Sequence, residues 1–403
     1  MSSILHLYAE LLLNIKTVNL FASLKTEHTS ETKAELSADG EFISLTHEGE
    51  TASIRLPTQI EGGGSAALTL PPRPSKDLTL RLQLQEKSAG LLKFSERTEN
   101  VVPWSATSLQ SSTEISCQSC KQTLVWAASP DSHEGIKEWM DLPNENWAEM
   151  MDFWHCHKPD EHHLPAHKHG AGHSKGYAAS NRLTARPRVG YVDLAYILVT
   201  QKDCRNVELI PASDADNQPQ QLRCADCKTT IGAVDERAEG WRLWKWSVAI
   251  SSNGTPPVQY STPKWISAQL LALIENQGVR KFVIDSQPPT SEEALNIWVF
   301  TPDLSFSSSV QSSARQDPTR AMKIFWKQIP RQQISGATSQ SLDKQSLSVE
   351  ELNLPQNAFE ALAVALKESA ELLPASARRF SDWNVGLLER FQERDIQDAV
   401  AKE

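Results

Sequence analysis

Alternation of apolar and polar residues dominates the first hundred positions. Leu78, Leu80, Leu82 and Leu84 alternate with Thr79, Arg81 and Gln83, the two-residue period of a strand with one buried face. Ile43 and Leu45 alternate in the same way with Ser44 and Thr46, and Asp39-Gly40 just before them is a turn signal. Glu61-Gly62-Gly63-Gly64-Ser65 and Pro71-Pro72-Arg73-Pro74 read as loops. The pattern predicts a meander or barrel, not alternating strand and helix units.

The period changes near residue 144. Trp147, Met150, Met151 and Trp154 fall at i, i+3, i+4 and i+7, which predicts a helix over 144–154 with one apolar face turned to the core. Asn146 and Glu149 fit its capping box. Strand-like runs resume at 191–200, 241–250 and 282–284, with shorter ones at 297–301 and 324–329. Residues 305–313 and 331–348 are rich in Ser and Gln and read as flexible. Phe359, Leu362, Leu366 and Leu373 mark a helix ended by Pro374, and Phe380, Trp383, Leu387, Leu388 and Phe391 mark a second one. The predicted class is mainly β with α (α+β): a zinc-clamped, meander- or barrel-like β body followed by a C-terminal helical pair. The corresponding division is an N-terminal β region over 1–110, a clamped body over 111–330, a linker over 331–350 and C-terminal helices over 351–403.

Composition narrows the class. Of 403 residues, 39% are hydrophobic and 22% charged, which suits a globular chain with a real core. A net charge of −10 argues against direct nucleic-acid binding, which requires basic patches. No segment is long and apolar enough to span a membrane. Residues 1–21 lack a basic leader and carry Glu10, Asn14 and Lys16 inside the apolar stretch, so they read as mature structure. The expected location is the cytoplasm or nucleus.

Four of the six cysteines form two knuckles. Cys117-Gln-Ser-Cys120-Lys-Gln-Thr-Leu124 and Cys224-Ala-Asp-Cys227-Lys-Thr-Thr-Ile231 share the pattern C-x-x-C-K-x-T-(Leu/Ile). Each knuckle aims two thiolates at one point, and tetrahedral zinc takes four. A shared structural zinc held by Cys117, Cys120, Cys224 and Cys227 is therefore predicted. Two disulfides, a redox pair, or two half-sites completed by histidines are the alternatives. Cys204 has no partner motif and reads as structural.

The segment between the knuckles carries the other candidate chemistry. In Trp154-His155-Cys156-His157 two imidazoles flank a thiol. A neighbouring imidazolium lowers a thiol pKa and makes a nucleophile. The same triplet could bind a metal, or Cys156 could be buried beside two surface histidines at a helix end. The insert 155–176 holds seven of the eleven histidines. Its stretch 162–173 reads as a mobile loop, with adventitious metal binding as the alternative.

Four stretches together resemble the HECT-like ubiquitin-conjugating-enzyme-binding family of ubiquitin ligases, in a fungal member. They are Asn144-Glu-Asn-Trp147 through His157, the paired knuckles, Trp241-Arg-Leu-Trp-Lys-Trp246, and the tail from Leu373-Pro374 through Phe391. The resemblance implies binding of a ubiquitin-conjugating enzyme (E2) and of ubiquitin, with transfer to protein substrates through a thioester. No cysteine follows Cys227, so the implied acceptor falls on Cys156, with His155 or His157 favouring its thiolate. The resemblance also implies an alternative: a non-catalytic adaptor or chaperone for the endonuclease of mRNA 3′-end processing.

Overall fold

The computed structural model describes residues 5–60, 67–84, 100–128, 134–142, 183–211, 219–289, 292–310, 312, 315–332 and 349–400. These form two compact units, one made of residues 1–102 and 261–403, the other of 103–260. The predicted helix 144–154, the Trp154–His157 stretch, the histidine tract and most of the predicted linker 331–350 lie outside the described residues.

The first unit opens with seven strands: β1 (Leu5–Leu12), β2 (Thr17–Leu24), β3 (Lys33–Leu36), β4 (Phe42–His47), β5 (Glu50–Arg55), β6 (Ala67–Leu68) and β7 (Asp77–Gln83). The alternation read from the sequence is borne out here. Leu78 and Leu80 of β7 and Ile43 and Leu45 of β4 all point inward, at most 9% exposed. Strands β5-β4-β3-β6 form a four-stranded sheet. It packs on β1, β2 and β7 through one apolar cluster that includes Leu7, Leu11, Leu20, Leu36 and Leu45. Burying each such side chain is worth about 1.5–3 kcal/mol. His47 is buried in this layer and satisfied at both ring nitrogens by Thr26 and Thr32, a structural histidine.

The second unit contains β8 (Thr113–Cys117), β9 (Thr123–Val125), β10 (Glu138–Asp141), β11 (Val189–Val192), β12 (Tyr196–Val199), β13 (Val207–Leu209), β14 (Gln221–Cys224), β15 (Thr230–Asp235), β16 (Gly240–Trp244) and β17 (Val248–Ser252). Seven strands run in the order β10-β11-β12-β16-β15-β14-β13, and three in the order β17-β8-β9. The apolar run 241–250 does not form one strand: a single 3-10 turn, Lys245–Ser247, passes the chain from one sheet to the other. Lys245 in that turn is only 1% exposed and donates from Nζ to the Trp104 carbonyl at 3.1 Å. Gly232 lies between Leu222 and Leu243. A Cβ there would sit 2.1 Å from the Arg242 carbonyl oxygen, so the close strand approach requires glycine.

The first unit resumes with α1 (Thr262–Gln277), β18 (Lys281–Gln287), β19 (Glu293–Ser308), β20 (Thr319–Pro330), β21 (Val349–Pro355), α2 (Gln356–Ser369), β22 (Arg379–Phe380), β23 (Trp383–Glu389) and α3 (Glu393–Val400). A nine-stranded sheet runs β22-β23-β20-β19-β1-β2-β7, with β18 joining β19 and β21. Strand β1 is thus bonded to β19, and β18 to β21. Divisions at 110 and 330 would separate these hydrogen-bonded partners, which local sequence pattern has no means of revealing.

Two predicted elements are corrected. Residues 380–391 are not a helix. Trp383–Glu389 is a strand paired with β20, and the second C-terminal helix starts only at Glu393. Leu387 and Leu388 are both buried, one on each face of the sheet, and an adjacent apolar pair fits a strand buried on both sides as well as a helix. The Ser-rich stretch 305–313 is ordered through Ser308 as the end of β19, where Ser307 and Ser308 are buried against the N-terminal strand. Helix α1 had no counterpart among the predicted elements. Its signals were Pro263 near the start and Gly278 in the left-handed conformation at the C-cap. No helix of the described residues is long and apolar enough to cross a membrane.

Candidate metal centre and candidate thiols

The two knuckles are built alike. Strand β8 ends on Cys117 and β14 on Cys224. Each hairpin has a register break two residues before its first cysteine, at Ile115/Ser116 and at Leu222/Arg223. The backbone N–H of the first cysteine donates across the hairpin, Cys117 to Gln122 at 2.8 Å and Cys224 to Thr229 at 2.9 Å. The lysine after the second cysteine donates back to the first, Lys121 to Cys117 at 2.9 Å and Lys228 to Cys224 at 3.0 Å. Both lysines sit in the left-handed region, with φ of 64° and 61°. That conformation costs a non-glycine residue about 1–2 kcal/mol, and it turns the chain back on itself.

The likeness extends beyond the sequence repeat. Strand β17 flanks β8 with Val248 opposite Cys117, and β13 flanks β14 with Val207 opposite Cys224. The N–H after each first cysteine is held by the residue just before that flanking valine. Gln118 donates to Ser247 at 3.0 Å and Ala225 to Asn206 at 2.7 Å. Two three-stranded halves, β17-β8-β9 and β13-β14-β15, therefore present their cysteines to one another.

All four sulfurs lie within 4.8 Å of one another. The short contacts run between the knuckles, Cys117 to Cys227 and Cys120 to Cys224, each at 3.6 Å. Disulfide sulfurs stand about 2.05 Å apart, and the five described cysteines are free. Around a tetrahedral ion with metal–sulfur bonds of about 2.3 Å, sulfurs stand about 3.8 Å apart. The cluster fits one shared ion, and the separate-disulfide and histidine-completed alternatives fall away.

The electrostatics agree. Burial pushes the Cys120 thiol up to about 12 and raises Cys117 as well. Cys227 is the most exposed of the four residues. Its contact with the Thr229 hydroxyl, at 3.3 Å, pulls it down to about 6. This threonine fills the variable position of the repeat, where the first knuckle has Gln122, so the contact belongs to the second knuckle alone. Without a cation the site holds one negative charge readily and resists more. A divalent ion relieves that resistance.

Cys204 lies elsewhere. It is 9% exposed, and burial with the neighbouring Asp203 charge raises its thiol well above the ordinary range. It is a poor nucleophile, in line with a structural role. Cys156, His155 and His157 lie outside the described residues.

The family profile described as HECT-like ubiquitin-conjugating enzyme (E2)-binding matches residues 10–385, nearly the whole chain and both units. The chain belongs to this family. An uncharacterized protein of Saccharomyces cerevisiae is 24% identical over 342 residues, covering 84% of this chain and 87% of that one. An uncharacterized protein of Schizosaccharomyces pombe is 24% identical over 306 residues, covering 73% and 79%. No solved structure matches. Family membership places the chain in the ubiquitin pathway with an E2-binding role.

Proposed function

We propose that this HECT-like protein binds a ubiquitin-charged conjugating enzyme and promotes ubiquitin transfer to a protein substrate, with Cys156 as the acceptor. The family match across residues 10–385 carries the reading. The cysteine inventory supports the choice of acceptor. Four sulfurs converge on one metal position and Cys204 is buried with a raised pKa, which leaves Cys156 among the six. In the step proposed, the Cys156 thiolate attacks the thioester carbonyl on the conjugating enzyme. A new carbon–sulfur bond forms, the old one breaks, and the conjugating enzyme leaves as its own thiolate. His155 or His157 would favour the Cys156 thiolate. The ion at Cys117, Cys120, Cys224 and Cys227 is zinc in this reading: it suits four thiolates and has no redox chemistry of its own.

The test incubates the purified chain with a panel of charged conjugating enzymes. A ubiquitin adduct cleaved by reductant, replaced by a reductant-stable oxyester in Cys156→Ser, is the expected result. Binding without any adduct would refute the acceptor role and leave the adaptor reading. The 3′-end processing endonuclease, tested as bait against the same protein, then decides whether that adaptor serves it.

A further inference from the structure

The nine-stranded sheet of the first unit has two unlike faces. One carries α2. Gly386 of β23 pairs with Ile324 of β20, and a Cβ on Gly386 would lie 2.8 Å from the Leu366 carbonyl oxygen of that helix. Side chains alternate along a strand, so the next pair, Phe325 and Val385, points to the opposite face. Part of that face is covered by the chain after α2: Leu373, with Leu372 and Ala377, packs against Tyr8, Phe306 and Leu387. Beyond this cover lies an aromatic stack.

Phe325, 4% exposed, is held between two other phenyl rings. Its centroid is 4.8 Å from Phe300 and 4.9 Å from Phe380, with interplanar angles of 22° and 10°. The outer rings are open: Phe300 is 46% and Phe380 54% exposed. Trp298 stands edge-on to both Phe300 and Phe325. Two cations lie on the flanking indoles, Lys281 over Trp298 at 5.7 Å and Lys327 over Trp383 at 4.5 Å. Scattered exposed apolar side chains need no explanation, but contiguous patches do. These rings are fixed by strand register, Trp298 opposite Phe325 and Trp383 opposite Phe380. They would lose little freedom on binding, which is what an affinity-bearing centre requires.

We propose that this stack is the docking surface for the ubiquitin-conjugating enzyme. An apolar side chain of the enzyme lies against Phe300 and Phe380, and an acidic group faces Lys281, Lys327 being already paired with Asp382 at 3.0 Å. The inference rests on the E2-binding reading above and locates it on the chain. The E2-binding family names the occupant; a second copy of this chain, whose Lys281 could face Asp382 across a two-fold contact, is an outcome of the test. Every residue of the stack falls within the matched span 10–385.

The test measures Kd of the full chain for each of a panel of purified conjugating enzymes, with light scattering for oligomeric state. Wild type should bind at least one enzyme. The double variant Phe300→Ala with Phe380→Ala should weaken Kd about ten-fold or more. Phe42→Ala, an exposed phenylalanine on β4, should not change it. Lys281→Glu, which leaves the Lys327–Asp382 pair intact, should also weaken binding and decides the matter if the aromatic variant misfolds. Binding unchanged in folded variants of both kinds would overturn the docking surface and leave the E2-binding reading standing. No binding of wild type to any enzyme would overturn both. A wild-type dimer made monomeric by the aromatic variant would overturn it in favour of self-association.

Discussion

Stripping the ion from the four-cysteine cluster should unfold residues 103–260 and leave the other unit folded. Structural zinc supplies about 10–16 kcal/mol of apparent folding free energy in small metal-dependent folds. A whole domain is stable by about 5–15 kcal/mol. The ion's contribution therefore equals or exceeds everything else the unit has. The structure shows why so much rests on it. Cys117 and Cys224 are fully buried at the ends of β8 and β14. These strands lie in different sheets, and two left-handed lysines hold the turns beside them. Without a cation the thiols revert towards their protonated forms, Cys120 most readily because burial pushes it to about 12. The first unit keeps its own core, with Leu7, Leu20 and Leu45 at most 1% exposed. Metal content by mass spectrometry and hydrogen exchange by peptide would follow the two units separately, on wild type, chelator-treated protein and Cys224→Ser. One zinc per chain is expected in wild type and none in the variant. Exchange protection should be lost in β8, β14 and β15 but kept in β1, β19 and β20. Metal-free protein that retains full protection at β8 and β14 would refute the clamp.

Two further results follow from buried or strained positions. Burial depresses Lys245 from 10.5 to about 7, opposed only in part by Asp193 and Asp141. The unfolded chain then binds more protons than the folded one between those values, so stability rises with pH across that window. The full difference is on the order of 4–5 kcal/mol. Denaturant unfolding of residues 103–260 between pH 7 and 10 should show this rise in wild type. Lys245→Met should flatten it, and an equal slope in the variant would exclude Lys245 as the source. At the knuckles, Lys121→Gly and Lys228→Gly relieve the left-handed backbone and should shift stability by no more than about 1 kcal/mol in either direction. A β-branched valine at either position should cost more than about 1 kcal/mol. Thermal melts that rank valine with glycine would show that the turn is not held as described. The ion pair lost with Lys228, to Glu208 at 3.0 Å, is solvent-exposed and contributes little.

The four-cysteine cluster was legible because its information is local. C-x-x-C-K-x-T encodes a turn, and each turn has to be completed by a partner that the chain itself repeats. The strands of the first hundred residues were legible for the same reason: one face is buried and the period is two. What failed was periodicity where both faces are buried. Around Leu387 and Leu388 the sequence reads as an apolar helix, yet the strand there lies between α2 on one side and Tyr8, Leu304 and Phe306 on the other. Topology failed for a different reason. Nothing local in Leu5–Leu12 announces a partner at Ser305–Ser308. The aromatic stack could not be read either. Phe300, Phe325 and Phe380 are far apart in sequence and meet only through strand register.

The two knuckle halves share three strands but not their order along the chain. In one half the flanking strand comes first, β13-β14-β15, and all three are consecutive. In the other, β8 and β9 wait for β17, which follows the whole of the second half. The consecutive half closes only short loops. The interrupted half must close a loop from Cys117 to Val248, and closure entropy weighs against such contacts before they form. A metal shared between the halves would offset that cost at the base of the loop. Residues 143–182, with Cys156, lie inside the loop by connectivity alone. The docking stack is built wholly from strands after residue 261, in the other unit. Partner capture and the proposed thioester chemistry are thus assigned to different compact units of the chain. Loss of the ion should strike the part that holds Cys156 and spare the surface that binds the conjugating enzyme.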